Sequence, residues 1–543
     1  MSNSNRCGQT ILSAVCFGAC VYVPAALALD VEKFESGNQG NRVQIGIIGD
    51  GYTSAELENL YAPTVASLLD YMLEHPTKNT PYPRYRNFLN FYRIDVESEE
   101  SGVDIPEEGI YVNTALAGER GCTDWRVAQL CNVDWNITHD TFDSAEAEFG
   151  FSTDWYLVLL NDDTFNGAAH YPARGALAVY SAQYQSLPND SDIRDIALHE
   201  GGHAWHGLAD EYVTQADVTY AGAEPSEANV TADATGAKWA QWLGYQMPSG
   251  LEVEVIEGAL YVGNGAYRPS RSSKMNGGVD ICHSLENDCG HNMPSIEKIV
   301  LDIYDHVRPI DSHTPNAATL INPDQLQVDV VDSEVIMVDW SVDGVVVSTK
   351  AAESFNPADY IDTAGDYVVT ARAWDEVIQH AFSDNLNPHE LDLVRRDLDK
   401  LEQSVSWNIS IEVADTDGDG VADDIDAFPN DPLEISDTDG DGVGDNADAF
   451  PDDPALTTIP EDVTDEGDTD GSDTDGSDPD GSDPDGSESD QAETTTQNSD
   501  STTSEGGGSF GIDLAALALL LIAAFRKKGI GYRSAALVVS NED

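Results

Sequence analysis

The chain has 543 residues, enough for two to four domains, and 41% of them are hydrophobic, enough to fill a sizeable core. Its formal net charge of -73 excludes nucleic acid as a partner, because so acidic a surface repels phosphate backbones. Residues 411–500 carry 32 of the 99 acidic side chains and no lysine or arginine, a bias that suits calcium and a solvated extracellular life.

Arg6 precedes an apolar run from Ile11 to Leu27, and Ala26-Leu27-Ala28 is a small-x-small cleavage site. Residues 1–28 therefore read as a secretory signal peptide. A retained membrane anchor is the alternative, and Pro24 disfavours it. A lipoprotein cysteine at Cys20 is disfavoured by Phe17 three positions upstream. Cys7, Cys16 and Cys20 leave with the signal. Cys122, Cys131, Cys282 and Cys289 remain, an even number in an exported chain, and they read as two local disulfides, Cys122–Cys131 and Cys282–Cys289. Their spacings do not fit paired zinc knuckles.

"VQIGII" at 43–48 predicts a buried strand, and "GDGYT" a turn after it. Thr53 and Glu56 form a capping-box pattern before an apolar periodicity running from Leu57 to Met72. Pro63 falls inside that helix and is expected to kink it. "WYLVLL" at 155–160 and "ALAVYSA" at 176–182 predict two more strands of an α/β layer. The second is either the edge strand that pairs with an extended peptide or an interior strand. Asp190 or Ser191 can cap the next helix, which runs through Ile193, Ile196 and Ala197 toward a stop at Gly207.

That helix carries "HEGGHAWHGLADEY", residues 199–212. His199 and His203 are four residues apart, so both imidazoles leave one helix face and can hold zinc. Glu200 stands beside them, placed to take a proton from a water activated by the metal. Catalytic zinc wants a third protein ligand. After the turn at Gly207, Asp210 is the first choice, with Glu211 and His206 as alternatives. Tyr212 or Tyr267 could donate to an oxyanion; packing is the competing reading for both.

"SIEKIVLDIYDHV" from Ser295 predicts a helix that closes a first domain, residues 29–322. The alternation in "VIMVDWSVDGVVV", "GDYVVTARAW" and "SVSWNISIEV" then predicts strands, and residues 323–413 read as an all-β immunoglobulin-like sandwich. "DTDGDGVADDIDAFPNDP" at Asp415 recurs as "DTDGDGVGDNADAFPDDP" at Asp437, giving two repeats within 414–456. Asp415, Asp417, Asp419, Val421, Asp423 and Asp426 have the spacing of a calcium loop. Asp437, Asp439, Asp441, Val443, Asp445 and Asp448 repeat it. The pair resembles thrombospondin type 3 repeats, with calcium as the structural ion. Residues 457–508 are rich in Asp, Gly, Ser and Thr and read as a disordered acidic stalk. "GGGSFG", an apolar run from Leu514 to Phe525 and Arg526-Lys527-Lys528 make 509–528 a transmembrane or sorting segment, followed by a short tail, 529–543. The segment resembles the Gly-Gly carboxy-terminal sorting signals of Gram-negative bacteria, which implies export and sorting machinery as partners. "GGSFG" also satisfies GxSxG, without the strand–turn–helix context a serine hydrolase needs.

"HEGGHAWHGLADEY" resembles the signature of the IgA-peptidase family of zinc metallopeptidases. "GDGYTSAEL", "YRNFLNFYRIDVESEESGVD", "LVLLNDDTFNG", "EPSEANVTA", "KWAQWL" and "YRPSRSSKM" are similar to further blocks of that family, in family order. The resemblance implies a metzincin-like α/β zinc peptidase with a methionine turn beneath the metal, matched here by Met275. Gly201 departs from the family's bulky apolar residue and Asn276 from its arginine after the methionine. Nothing in the residues specifies immunoglobulin A.

These readings combine into an exported or surface-tethered zinc metalloendopeptidase acting on extracellular protein or peptide substrates. The rivals are an inactive peptidase-like binding protein on a calcium-stiffened stalk, and a zinc hydrolase of a non-peptide surface polymer. Loss of Glu200 or of a metal ligand would have favoured the first, and none is lost.

Overall fold

The structure, a computed structural model, describes residues 29–74, 78–121, 131–164, 166–183, 194–247, 250–276, 290–380 and 392–458. The chain divides into two compact units, Met1–Ile459 and Pro460–Asp543. All described residues belong to the first. The signal peptide, Cys122, Cys282 and Cys289, the helix-capping pair Asp190 and Ser191, nearly all of the stalk and the C-terminal segment lie outside the described residues. Among the described residues, no helix is long and apolar enough to cross a membrane.

A six-stranded mixed sheet forms the first layer. Its strands are β1 (Leu29–Phe34), β2 (Val43–Asp50), β3 (Leu89–Val96), β4 (Trp155–Leu160), β5 (Gly167–His170) and β6 (Leu177–Ser181), in the order β1-β3-β2-β4-β6-β5. The centre is parallel: Ile45 pairs with Phe91 on one side and with Trp155 on the other. The two outer strands run antiparallel. Period-two alternation divides the side chains between two cores. Ile45, Ile47, Leu157, Leu159, Ala178 and Tyr180 face one. Ile48, Val158, Leu160, Leu177 and Val179 face the other. Burial on both faces explains why β2 and β4 read as continuous apolar runs.

Helix α1 (Ala62–Glu74) covers the first core with Val65, Leu68, Leu69 and Met72. Each such side chain contributes roughly 1.5–3 kcal/mol of burial. Upstream, the N–H and hydroxyl of Thr53 both donate to the Glu56 carboxylate, the expected capping box. Pro63 is the second residue of α1, directly after a break in the regular α-helical pattern. Leu57–Tyr61 form a π turn, with the Ala62 N–H bonded to the Leu57 carbonyl. That widened turn accommodates the proline, which lacks an N–H, at the start of α1. Helix α2 (Trp135–Phe149), capped by Asp134, covers the second core. A Cβ on Gly46 would come within 2.6 Å of the Phe142 ring, so a larger residue at that strand position would have to displace the ring.

Helix α3 (Arg194–His206) packs on the first core and carries the histidines. Past it, β7 (Val213–Thr219), β8 (Ile256–Ala259) and β9 (Tyr261–Arg268) form a small sheet, with β9 central. Helix α4 (Met293–His306), capped by Asn292, follows.

Glu119–Arg120 and Cys131–Asn132 pair as a two-stranded ribbon, and the remaining strands form a five-stranded sheet and a three-stranded sheet. Trp340 and Trp407 of the larger sheet stack with centroids 5.7 Å apart, and Phe355 of the smaller one stacks on Trp340 at 5.0 Å. The β layer begins upstream of residue 323, because Ile310–His313 pairs with Leu326–Val330. It shares a core with the first layer. Asp375, fully buried, accepts hydrogen bonds from Arg84, Tyr85 and Tyr304.

Candidate metal centre

One turn of α3 separates His199 from His203 and brings their Nε2 atoms to 3.2 Å. Carbonyl oxygens fix both rings. His199 Nδ1 lies 2.8 Å from the Lys274 carbonyl, and His203 Nδ1 lies 2.7 Å from that of Leu208. A carbonyl only accepts, so each Nδ1 carries the proton and each neutral Nε2 presents a lone pair. Asp210 Oδ1 stands 3.2 Å from His199 Nε2 and 3.3 Å from His203 Nε2. It is buried and has no hydrogen-bond partner among the described residues.

Three electron-rich atoms facing one another in a buried site repel unless a cation lies between them. Donors about 2.0–2.1 Å from a tetrahedral zinc stand about 3.3 Å apart, so the spacing fits that ion. Without a metal, the same trio binds protons instead. Burial would lower the His199 imidazole, but Asp210 and Glu200 lift it to about 9. Burial would raise Asp210, but the two imidazoles hold it well below the usual carboxylate range.

Glu200 is buried beside the trio. Burial raises its proton affinity, offset in part by the two imidazoles. A Cβ on Gly167 would lie 2.6 Å from Glu200 Oε1, so the start of β5 leaves the carboxylate its space. Met275 is fully buried beneath the helix, its Sδ against Gly202.

The other polar residues of the motif serve the scaffold. His206 lies between the Asp302 carboxylate, 3.0 Å from Nδ1, and the Tyr82 hydroxyl, 2.8 Å from Nε2. Glu211 points away from the trio and accepts from Ser273, Asn229 and Asn292. Its backbone N–H bonds to the Met275 carbonyl at 2.8 Å. Tandem acids thus have opposite tasks: Asp210 faces the histidines, and Glu211 ties three distant segments beneath them. Trp205 stacks on Trp155 at 5.6 Å and covers Gly201, where a Cβ would come within 2.7 Å of its ring. The departure at Gly201 is therefore matched by a large ring one turn later.

The alternative of "ALAVYSA" as the edge strand is corrected by the sheet order. β6 lies between β4 and β5, and the antiparallel β5 is the edge beside Glu200. Tyr212 packs edge-on against Tyr261, 5.3 Å away. Tyr267 pairs with Thr231 through its backbone. Sequence reasoning missed Gly167, Tyr261 and the Asn229–Ser273–Asn292 cluster. An Asn-Gly pair at 166–167 was the one visible signal among them.

The acidic repeats hold two further donor groups, Asp415, Asp417 and Asp419, and Asp437, Asp439 and Asp441. In each repeat three carboxylate oxygens are buried without a partner, on Asp417, Asp419 and Asp426 and on Asp439, Asp441 and Asp448. The carboxylates of Asp423 and Asp445 are engaged by the N–H and hydroxyl of Thr416 and Thr438. Position 9 thus closes each loop. Gly420 and Gly442 at position 6 have φ of +99° and +92°.

No curated protein matches the chain. The profile of the family described as IgA Peptidase M64 matches residues 31–254, a span that includes His199, Glu200, His203 and Asp210 and ends before Tyr261 and Met275. Through that span the chain is similar to the IgA Peptidase M64 family, a family of metallopeptidases.

Proposed function

We propose that this peptidase is a zinc metalloendopeptidase, with His199, His203 and Asp210 as metal ligands, Glu200 as general base and Met275 as the floor of a metzincin-like site. The observation that carries the reading is the convergence of three potential metal-binding atoms at 3.2–3.3 Å, with the second nitrogen of each imidazole bonded to a backbone carbonyl. Zinc held there supplies Lewis acidity, lowering the pKa of water toward 7 and stabilising negative charge on a carbonyl oxygen. The chain's own residues do the rest. Glu200 takes the proton of the attacking water and passes it to the departing amine nitrogen. Its raised proton affinity suits a group that must do both near neutral pH. β5 offers its outer backbone edge to an extended peptide beside Glu200.

The remaining assignments extend this reading. The C-terminal β layer is an immunoglobulin-like accessory domain. The two repeats bind calcium and stiffen a spacer, supported by three unpartnered carboxylate oxygens in each. The signal peptide and the Gly-Gly segment direct export and display at a Gram-negative cell surface, so the substrates are extracellular proteins.

The test compares purified wild type with Glu200→Ala, measuring zinc content and hydrolysis of a denatured protein. Zinc in both with cleavage only by the wild type supports the reading. Zinc in both and cleavage by neither turns it toward a binding role. Absence of zinc refutes it.

A further inference from the structure

Asp210 has two carboxylate oxygens in different surroundings. Oδ1 faces the imidazoles without a hydrogen-bond partner, whereas Oδ2 accepts a hydrogen bond from the Tyr261 hydroxyl. Tyr261 comes from the tip of the β8–β9 hairpin, beyond the span matched by the family profile.

The tip is built at a conformational cost. Ala259 pairs with Val262, so Leu260 and Tyr261 are the two central residues of the turn. Both are left-handed, with φ of +53° and +68°. Such a turn favours Asn-Gly, because larger side chains resist positive φ. Leucine and tyrosine in these places need compensation from contacts that only their side chains supply. Leu260 packs against a small core of Ala209, Val230, Ala259 and Ala266. Tyr261 reaches Asp210. The backbone reinforces the docking: the Leu260 N–H bonds to the Asp210 carbonyl and the Tyr261 N–H to that of Tyr212, both at 3.0 Å. The backbone at Asp210 and Tyr212 is thus clamped by the same turn that holds the Asp210 carboxylate.

We propose that Tyr261 is a positioning residue for the metal centre: its hydroxyl occupies Asp210 Oδ2 and so leaves Oδ1 as the single metal-binding oxygen. This rests on the reading of Asp210 as a ligand. A free carboxylate after a helix-ending glycine can rotate and present either oxygen; the phenol removes that freedom and keeps the carboxylate preorganised.

The test uses the full chain with calcium in excess, so that the acidic repeats do not report. Zinc affinity is measured by competition with a chelator, the visible spectrum is recorded with cobalt(II) in place of zinc, and the metal-free melting temperature is taken. Tyr261→Phe is expected to lose about 10- to 100-fold in zinc affinity and to shift the cobalt bands. Val262→Ala loosens the same hairpin but keeps the hydroxyl; it is expected to lower the metal-free melting temperature while leaving affinity and bands unchanged. Unchanged affinity and bands in Tyr261→Phe overturn the proposal. So does an equal loss of affinity in Val262→Ala, which would make hairpin stability the cause. A wild type that binds no zinc refutes the metal reading itself, an outcome distinct from either.

Discussion

Gly202 and Met275 share one volume: a Cβ on Gly202 would come within 2.6 Å of the Met275 Sδ. The methionine is fully buried, and its turn also supplies, from Lys274, the carbonyl that orients His199. Gly202→Ala is therefore expected to push the turn away from the helix and destabilise the protein by about 1–3 kcal/mol, with weaker zinc retention. Met275→Ala leaves a cavity and is expected to cost about 2–5 kcal/mol. Because the two positions touch, the double variant is expected to lose less than the sum of the singles, a non-additivity that thermal or urea unfolding would reveal.

Gly201 and Trp205 are a second matched pair. Gly201→Leu is expected to collide with the indole and unstack it from Trp155, lowering stability by about 1–3 kcal/mol. Adding Trp205→Phe vacates part of that volume. The combination is expected to melt higher than Gly201→Leu alone; a lower melting point would show that the two positions do not compete for space.

Glu211 receives three hydrogen bonds from three segments, and burial raises its pKa. Glu211→Ala removes the acceptor of the Ser273 hydroxyl and one acceptor from each of the Asn229 and Asn292 amides, which keep only the Ala209 carbonyl and the Ser270 hydroxyl. A loss of about 3–5 kcal/mol is expected, since each donor that loses its acceptor costs about 1–3 kcal/mol and the three relax partly. Glu211→Gln keeps a carbonyl acceptor and is expected to cost less. Denaturant midpoints of the two variants check the order.

The acidic repeats carry a metal-removal prediction. On the proposed reading each repeat holds one calcium ion, with the buried, unpartnered oxygens of Asp426 and Asp448 among its ligands. Calorimetric titration of the chelated chain is expected to show two sites, with Asp426→Ala and Asp448→Ala each abolishing one. Retention of both sites in either variant would remove that aspartate from the ligand set.

Much of this architecture is legible in the sequence because it depends on local periodicity. β2 and β4 announce themselves as apolar runs, and Thr53 with Glu56 marks a helix start. His199 and His203 share a helix face by spacing alone. What was not legible depends on the path of the chain after an element ends. Asp210 is the first choice on paper, but Glu211 and His206 stay open beside it until the turn at Gly207 and the donors waiting at Asn229, Ser273 and Asn292 separate them. Tyr261 reaches Asp210 from 51 residues away, through a turn lacking the usual Asn-Gly signature. Whether "ALAVYSA" is an edge or an interior strand stayed open for a related reason: β5 and β6 are adjacent in sequence and both short, and strand order is a tertiary property.

Anomalous scattering at the zinc absorption edge, from crystals of the zinc-loaded chain, tests the central claim most directly. The account predicts a strong peak about 2.0–2.2 Å from His199 Nε2, His203 Nε2 and Asp210 Oδ1. A peak held instead by His206 or Glu211, or none at this site after loading, would contradict it.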